Sequence, residues 1–473
     1  MMDLQQLQQS LPGSELVGDP HQVVTRVHSD TRSLQPGDLF VALRGDNFDG
    51  NRFLAQARAA GAVGAIAHDR AALEQAGLAG VVVADSKLAL GIVATRWRAR
   101  FTLPLIAVTG SNGKTTVTQM LAAILWQWKP QAMLATLGNF NNDIGLPLTL
   151  LRLRAKHAVG VVELGMNHPG EIALLATMAR PTVALVNNAQ REHLEFMASV
   201  EAVAHENGAV ISALPADGIA VFPHDDPFAV LWRALAGARK CLTFAIADAG
   251  TATPADISAR APHWADGAWQ VQAQTPVGAL GFTLRMAGRH NVRNALAATA
   301  CAVAVGVPPE HIATGLQCFE PVKGRSRTLQ VRLGAHACTL VDDSYNANPD
   351  SVDAALEMLA ALPGPRLMVL GDMGEVGDQG PQFHVQAGAR AQALGIESLL
   401  TLGSLSASAA TSFDGARHCA TMPELVQAVL EQAPAMASIL VKGARFMRME
   451  QVVEAVMARA RLLPASTGEA ACC

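Results

Sequence analysis

The stretch that decides the fold reads Thr109-Gly110-Ser111-Asn112-Gly113-Lys114-Thr115-Thr116, and it lies between an apolar segment at 105–108 and a helical pattern that ends near residue 128. Glycines let successive backbone N–H groups converge, and such a turn at the start of a helix binds phosphate oxygens. A lysine placed here bridges the terminal phosphates of a nucleotide, and the hydroxyl residue after it binds Mg²⁺. We therefore predict that residues 110–116 bind ATP, with Lys114 on the phosphates and Thr115 on Mg²⁺.

The loop departs in one place from the general phosphate-binding pattern GxxxxGK[ST]. Val108 occupies the position of the first glycine, so the turn should be tighter. A glycine turn capped by threonine, without any ligand, would show part of the same pattern. A lysine followed by two threonines directly after a strand favours the phosphate interpretation.

Composition and length limit the class of protein. The chain has 473 residues, more than one hydrophobic core usually supports, and we expect three domains at residues 1–103, 104–318 and 319–473. Half of the residues are hydrophobic and 16% are charged, which is typical of soluble globular proteins. A net charge of -4 gives no general attraction to nucleic acid or anionic lipid, so we expect neither as a partner.

Strand and helix patterns alternate along most of the chain. Residues 23–100 predict a small α/β domain, and the apolar segments at 105–108, 159–163 and 183–187, separated by helices, predict a mostly parallel sheet. A second alternating series after residue 318 predicts a Rossmann-like domain. The expected fold class is therefore α/β, with a small first domain, a central phosphate-loop ATPase domain and a Rossmann-like third domain. Residues 464–473 are expected to form a frayed tail.

The start of the chain and its apolar segments bear on where the protein acts. Residues 1–10 are rich in glutamine and lack the basic-then-apolar pattern of a signal peptide. No apolar run approaches the length of a membrane span. We therefore expect a cytoplasmic protein with no membrane span.

Two polar residues at the ends of predicted strands are candidates for metal ligands. Glu163 closes one apolar strand, and His193 lies shortly after the next. Parallel strands end at the same edge of a sheet, so both side chains should face the loop and, with Thr115, hold Mg²⁺. The alternatives are a solvated turn glutamate and a surface histidine.

Four segments together resemble the muramyl-peptide ligases, and the resemblance runs nearly the whole length of the chain. They are the loop at 109–116, Val-Glu-Leu-Gly-Met-Asn at 162–167, Glu-His-Leu-Glu at 192–195 and Gly-Arg-His-Asn-Val-Arg-Asn-Ala at 288–295. The resemblance implies that Glu163 and His193 support Mg²⁺ and that Asn294 contacts the adenine of ATP. The alternative for Asn294 is a helix-packing residue.

Two further segments resemble the part of the third domain that closes over the nucleotide in this family. Lys-Gly-Arg at 323–325 implies that Arg325 reaches the transferring phosphate, and Asp-Asp-Ser-Tyr-Asn-Ala-Asn-Pro at 342–349 implies that Asp343 contacts the ribose and phosphates. The candidate substrate-binding residues of this segment are Tyr345, Asn346 and Asn348. The resemblance thus implies a catalytic set of Lys114, Glu163, His193 and Arg325. A solvated arginine and a turn before a helix remain the alternatives.

The flanking segments indicate which substrates are used. Ser29-Asp30-Thr31-Arg32 resembles the UDP-recognising domain of the family members that add the third residue or the terminal dipeptide, and no Asp-Asn-Pro-Arg segment for a diamino acid is present. The segment at 139–147 fits the members that add the terminal dipeptide, and its candidate substrate contacts are Asn139, Asn141 and Asn142. The resemblance therefore implies an ADP-forming peptide ligase of peptidoglycan synthesis. It should act as a monomer on UDP-N-acetylmuramoyl-tripeptide and D-alanyl-D-alanine. Whether the third residue is diaminopimelate or lysine stays open.

One position departs from the family pattern. The family usually carries a lysine that becomes carbamylated, and Asn207 stands where that lysine would be. A neutral amide cannot supply the negative charge of a carbamate, so we predict activity that does not depend on bicarbonate, with Glu206 or water filling the gap.

Three other interpretations remain at this point. A ligase that extends folate with glutamate would share the loop but lack the UDP-type first domain. A module that hydrolyses ATP to drive motion would share the loop without making an amide, and an inactive scaffold would retain only the fold.

Overall fold

Three main β-sheets, each flanked by helices, organise the chain into three α/β domains. The structure is a computed structural model that describes residues 1–247, 255–334 and 336–463. The expected α/β class with three domains is confirmed, whereas the tail predicted at 464–473 lies outside the described residues. Among the described helices, none has both the length and the apolar character needed to cross a lipid bilayer.

The first domain has a short mixed sheet with two-residue strands and hairpins around it. Its elements are β1 (Met2–Asp3), α1 (Leu4–Gln9), β2 (Glu15–Val17), β3 (Val23–Val24), β4 (Arg26–His28), β5 (Asp38–Val41), β6 (Arg44–Gly45), β7 (Phe48–Asp49), α2 (Leu54–Ala59), β8 (Gly64–Ala67), α3 (Arg70–Gln75), β9 (Gly80–Val82) and α4 (Ser86–Arg98). The sheet order is β2-β9-β8-β5-β4, with β2 antiparallel to β9 and the other neighbours parallel.

The central domain has the largest sheet. Its elements are β10 (Leu105–Thr109), α5 (Lys114–Trp128), β11 (Met133–Ala135), α6 (Gly145–Leu150), β12 (Val159–Glu163), α7 (Glu171–Ala179), β13 (Val183–Val186), α8 (Val200–Ser212), β14 (Ile219–Pro223), α9 (Ala229–Ala236), β15 (Lys240–Ala247), β16 (Ile257–Arg260), β17 (His263–Ala265), β18 (Ala268–Thr275), β19 (Gly278–Leu284), α10 (Arg289–Ala304) and α11 (Pro309–Gln317). The parallel strands run in the order β11-β12-β10-β13-β14-β15-β16, and the antiparallel β18, β17 and β19 extend the far edge.

The position of β10 inside this sheet fixes the place of the glycine-rich loop. All five residues of β10 are buried, and β12 and β13 pair with it in parallel on either side. The three strands therefore end at one edge, where the loop, Glu163 and the segment after β13 meet. The helix that follows the loop is α5. Its buried residues pack against α10 and α11, and these contacts hold it in place.

The third domain is Rossmann-like, as the sequence predicted. Its elements are β20 (Arg327–Leu333), β21 (His336–Asp343), α12 (Pro349–Ala360), β22 (Arg366–Gly371), α13 (Gly380–Ala393), β23 (Ser398–Leu402), α14 (Ala407–Ala410), β24 (Arg417–Cys419), α15 (Met422–Gln432), β25 (Ser438–Lys442), α16 (Glu450–Arg459) and β26 (Arg461–Leu462). The parallel strands run β24-β23-β22-β25-β21, and antiparallel β20 and β26 complete the edge.

Helix α4 anchors the first domain to the central one. The indole N–H of Trp97 donates to the carbonyl of Leu153 at 3.1 Å, and the buried guanidinium of Arg98 donates to the carbonyls of Ala179 and Arg180. The predicted boundary at 103/104 falls between α4 and β10, and the boundary at 318/319 falls between α11 and β20. Both boundaries stay predictions.

The packing of α11 on α5 leaves no room for a side chain at Gly315. A Cβ added there would lie 2.4 Å from the Cα of Ile124, a backbone atom that cannot move aside. We expect Gly315→Ala to lower the free energy of unfolding by about 1–3 kcal/mol, because overpacking forces the two helices apart. Chemical denaturation measures this. Gly45→Ala is the control, since its Cβ would meet open space, and equal stability of the two variants would contradict the prediction.

Candidate active site

A large cavity of about 1110 Å³ lies between the central and third domains, and Lys87 of α4 reaches its rim from the first domain. This volume is sufficient for a nucleotide together with part of a second substrate. Most of the residues predicted from the sequence line it: Ser111, Asn112, Gly113, Lys114, Thr115, Thr116, Asn139, Asn141, Asn142, Glu163, His193, Asn294, Arg325, Asp343, Tyr345, Asn346 and Asn348. The structure therefore brings together residues that are up to 237 positions apart in the chain, from Ser111 to Asn348.

The predicted residues of the first domain are not part of this cavity. Ser29, Asp30, Thr31 and Arg32 are absent from its lining, and the Arg32 guanidinium pairs with the Asp30 carboxylate at 2.7 Å on the surface. A smaller cavity of about 540 Å³ in the same domain is lined instead by Arg44, Gly45, Asp46, His68, Ala84, Asp85 and Ser86. A role for residues 29–32 in binding UDP stays a prediction.

The phosphate loop adopts a conformation that only glycine accepts readily at two positions. Gly110 has φ 127° and Gly113 has φ 82°, both in the range that side chains with a Cβ avoid. The ammonium of Lys114 donates to the carbonyls of Gly110 and Ser111 at 2.6 and 3.1 Å and to the carboxylate of Glu192 at 2.8 Å. The lysine is thus held over the loop by its own backbone and by one carboxylate.

Asn207 supports this loop from behind. Its side chain is almost fully buried, and its Oδ1 accepts hydrogen bonds from the Thr109 hydroxyl at 2.6 Å and from the Gly110 N–H at 3.0 Å. Its Nδ2 donates to the carbonyl of Val203, one turn earlier in α8. Glu206, which was predicted as one way to fill the gap left by the missing carbamate, accepts hydrogen bonds from the N–H groups of Gly170 and Ile172 at the start of α7.

Glu163 has the environment of a cation ligand. Its Oε1 accepts hydrogen bonds from the Thr115 hydroxyl at 3.2 Å and from Asn141 at 2.7 Å, whereas its buried Oε2 has no hydrogen-bond partner. An unpartnered buried carboxylate oxygen is costly, and a bound cation would satisfy it. The pair formed by Thr115 and Glu163 therefore fits Mg²⁺. No cluster of three or more His, Cys, Asp or Glu side chains suited to a metal occurs in the described part of the chain.

His193, the third predicted metal ligand, lies between two carboxylates. Its Nε2 is 3.3 Å from Glu192, and its Nδ1 forms an ion pair with Glu375 of the third domain. Burial alone would lower the pKa of His193, but the hydrogen bonds and charges of Glu192 and Glu375 outweigh it and raise the pKa to about 9. In this arrangement the imidazole joins the central and third domains, and its role as a ligand of Mg²⁺ stays a prediction.

A polar segment at 187–192, which follows β13, lies directly against the loop. Asn188 accepts hydrogen bonds from the N–H groups of Ser111 and Asn112, and Asn187 donates to the carbonyl of Asn112 at 2.7 Å. Asn187 also donates to Asn294 of α10, so the predicted adenine contact belongs to an amide network beneath Gly113. Sequence analysis missed these two asparagines and Gln190. They could have been found from the sequence, because residues 187–192 form a polar run directly after the apolar strand at 183–186.

The third domain contributes a group of cations and aromatic rings to the cavity. Lys442 donates to the carboxylate of Asp343 at 2.5 Å, and Ser326 donates to the same carboxylate. The guanidinium of Arg325 lies over the ring of Tyr345, 4.0 Å from its centre, and that of Arg445 lies 5.5 Å from it. Arg325 and Asp343 are therefore both at the cavity, as predicted, and Asp343 is already paired with a lysine.

Comparisons with known proteins agree with this geometry. Three family models match successive parts of the chain: "Mur ligase family, catalytic domain" at residues 23–98, "Mur ligase middle domain" at 108–302 and "Mur ligase, glutamate ligase domain" at 326–445. A protein of Escherichia coli named UDP-N-acetylmuramoyl-tripeptide–D-alanyl-D-alanine ligase is 40% identical over 91% of this chain and 93% of its own length. The chain belongs to the Mur ligase family.

Solved structures extend the match to the arrangement of the domains. A crystal structure of MurF from Acinetobacter baumannii is 33% identical and superposes with a TM-score of 0.86 over 96% of this Mur ligase and 98% of that chain. MurF ligase from Thermotoga maritima, in complex with ADP, shares the fold with a TM-score of 0.79 at 24% identity, over 92% and 98% of the two chains. The family and three-domain architecture expected from the sequence are confirmed.

The hydrogen bonds of Asn207 predict how the loop responds when they are lost. In this Mur ligase, Asn207→Leu keeps a similar volume but leaves the Thr109 hydroxyl and the Gly110 N–H without an acceptor. We expect the free energy of unfolding to fall by about 1–3 kcal/mol and the KM for ATP to rise, because the loop loses its support. Denaturation and steady-state kinetics measure the two effects.

His205→Ala is the matched control, because His205 is exposed on the same helix. Bicarbonate added to dialysed wild-type enzyme should leave the ligation rate unchanged, since position 207 cannot be carbamylated. Wild-type stability and KM in Asn207→Leu, or strong stimulation by bicarbonate, would contradict this account of the loop.

Proposed function

We propose that this Mur ligase joins D-alanyl-D-alanine to the C-terminal carboxylate of UDP-N-acetylmuramoyl-tripeptide, with conversion of ATP to ADP and phosphate. The observation that carries the proposal is the 40% identity, over nearly the full length of both chains, to an E. coli protein named for this reaction. The cavity adds physical support, since a phosphate loop and a candidate cation site open into a space that accommodates more than a nucleotide.

The chemistry explains why a phosphate loop is needed. A carboxylate is a poor electrophile, so an amine does not displace its oxygen at a useful rate in water. In the proposed first step, a carboxylate oxygen of the tripeptide attacks the γ-phosphorus of ATP, and the bond to ADP breaks. The product is an acyl phosphate, whose phosphate is a good leaving group.

The roles of the central-domain residues follow from their positions. The N–H groups of residues 110–116 and the ammonium of Lys114 stabilise the negative charge that develops during transfer. Thr115, Glu163 and His193 would hold Mg²⁺, which would offset charge on the phosphates when bound. Asn141 orients Glu163 through its hydrogen bond, and His193 supports the site through Glu192.

The third domain completes the charge balance. Arg325, from a segment outside the central domain, faces the same cavity as Lys114 and supplies positive charge to the transferring phosphate. Asp343 and Lys442 form an ion pair at the end of β21 and β25, where ribose hydroxyls and phosphate oxygens find an acceptor and a donor. Tyr345, Asn346 and Asn348 lie on the same rim and contact the substrates.

In the second step, the neutral amine of the dipeptide attacks the acyl carbon. The new C–N bond forms as the C–O bond to phosphate breaks, and phosphate leaves. The nitrogen, which is positively charged after the attack, then loses one proton to water. Because an acyl phosphate hydrolyses readily, the site has to exclude bulk water while the amine approaches. The position of the cavity between two domains supports this requirement, because residues of both domains line it.

We further propose that the enzyme acts as a monomer in the cytoplasm. The residues assigned here to the metal and to the transferring phosphate all line one cavity, so no second copy of the chain is needed to complete it. Both muramoyl substrate and ATP are small molecules, and their use requires no surface for nucleic acid or membrane.

Loss of the loop lysine tests the phosphate assignment. We expect Lys114→Ala to lower kcat about 10²- to 10³-fold, because one charged donor to the transferring phosphate is lost. The variant should stay folded but melt at a lower temperature than wild type, because the buried carboxylate of Glu192 loses its lysine partner. Lys156→Ala, at an exposed position outside the cavity, serves as the control. Retention of turnover in Lys114→Ala would exclude the proposed role of the loop.

A trapping experiment tests the order of the steps. With UDP-N-acetylmuramoyl-tripeptide and ATP but no dipeptide, we expect an acyl phosphate that hydroxylamine converts to a hydroxamate. Lys114→Ala should give no hydroxamate under the same conditions. Failure to trap any product from saturated wild-type enzyme would count against an acyl phosphate as the intermediate.

A further inference from the structure

One ion pair joins the central and third domains beside the phosphate loop. The guanidinium of Arg191 donates to both carboxylate oxygens of Asp350, with its closest contact, from an Nη atom to Oδ1, at 2.8 Å. The backbone N–H of Arg191 also donates to Oδ2 of Asp350, at 2.7 Å. Arginine and carboxylate match each other's planar geometry, so this pair defines both a distance and an orientation.

The two residues stand on segments of the central and third domains that both line the cavity. Arg191 belongs to the polar segment at 187–192, whose asparagines hold the loop and whose Glu192 holds Lys114. Asp350 lies in the first turn of α12, two residues after the N-cap residue Asn348. Glu192, which holds Lys114 of the loop, is adjacent to Arg191 in the chain, and the start of α12 lies within two residues of Asp350. A change in the ion pair is therefore expected to move both the loop and the start of α12.

Other contacts also join the central and third domains at this interface. The side-chain amides of Asn112 and Asn348 bond to each other, with the shorter contact at 3.0 Å. Glu375 of the third domain pairs with His193, and the Arg191 guanidinium also lies 5.4 Å from the ring centre of Phe383. Of these contacts, the Arg191–Asp350 pair is the one in which an arginine and a carboxylate meet in two-point geometry.

We propose that Arg191 and Asp350 form a latch that holds the third domain closed over the phosphate loop during catalysis. Arg191 is a positioning residue in this proposal, since it contacts the third domain rather than a reacting atom. With the latch formed, Arg325 and Lys442 face the cavity that Lys114 faces from the other side. Without it, the third domain swings away and the transferring phosphate loses the charge delivered from that domain.

The test compares single and paired substitutions in the full-length enzyme. We expect Arg191→Ala and Asp350→Ala each to lower kcat about 10- to 100-fold, as for reacting groups displaced by about 1 Å. The KM for ATP should change much less, because the loop that binds it is in the central domain. The double variant R191D/D350R restores the pair with reversed charges and should be at least about tenfold more active than R191D alone.

Small-angle scattering of the substrate-free protein provides a second measurement that does not depend on the proposed reaction. The radius of gyration should rise in R191D and return towards wild type in R191D/D350R. Arg390→Ala is the matched control, because Arg390 pairs with Asp353 and Glu357 of the same α12 without crossing between domains. It should keep wild-type kcat and dimensions.

Three results would overturn the latch. The first is wild-type kcat in both alanine variants, and the second is a double variant no more active or compact than R191D. The third is an equal loss of kcat in Arg390→Ala, which would show that any ion pair on α12 matters through stability alone. A failure of the acyl phosphate mechanism would leave the scattering result intact, so the two proposals are separable.

Discussion

The site depends on holding one flexible loop in one conformation. The backbone at 109–116 passes through two glycines at positive φ, and such a segment has many accessible conformations when nothing constrains it. Asn207 accepts hydrogen bonds from behind the loop, and Asn188 accepts them in front. Because these contacts already order the loop, the proposed binding of phosphate would not have to supply that ordering free energy.

Charge balance then extends from the loop to the neighbouring domain. Lys114 pairs with Glu192, Glu192 lies against His193, and His193 pairs with Glu375 of the third domain. Burial by itself would raise the pKa of Glu192, but the charges of Lys114 and His193 lower it. Removing a single charge from such a chain leaves its neighbour buried and unpaired. The electrostatics of the loop and the contact between domains are therefore parts of one arrangement.

The elements nearest the site were the ones that sequence patterns identified best. The apolar segments predicted at 105–108, 159–163 and 183–187 correspond to β10, β12 and β13, and the helical pattern predicted to end near residue 128 corresponds to α5. The predictions did not include β14, β15 and β16, although they continue the same parallel sheet. Short buried runs show no period that distinguishes a strand from a helix, so the sheet's full width did not follow from pattern alone.

The sequence by itself determined the phosphate loop, the α/β class and the family, because these depend on glycines, on a lysine with threonines and on apolar periodicity, all local in the chain. Tertiary structure decided which polar side chains meet. Asn207 supports a loop almost 100 residues before it, His193 pairs with a carboxylate of another domain, and Arg191 reaches Asp350. Such partners are set by how separate elements pack, and the packing of distant segments leaves no signature in the local order of residues.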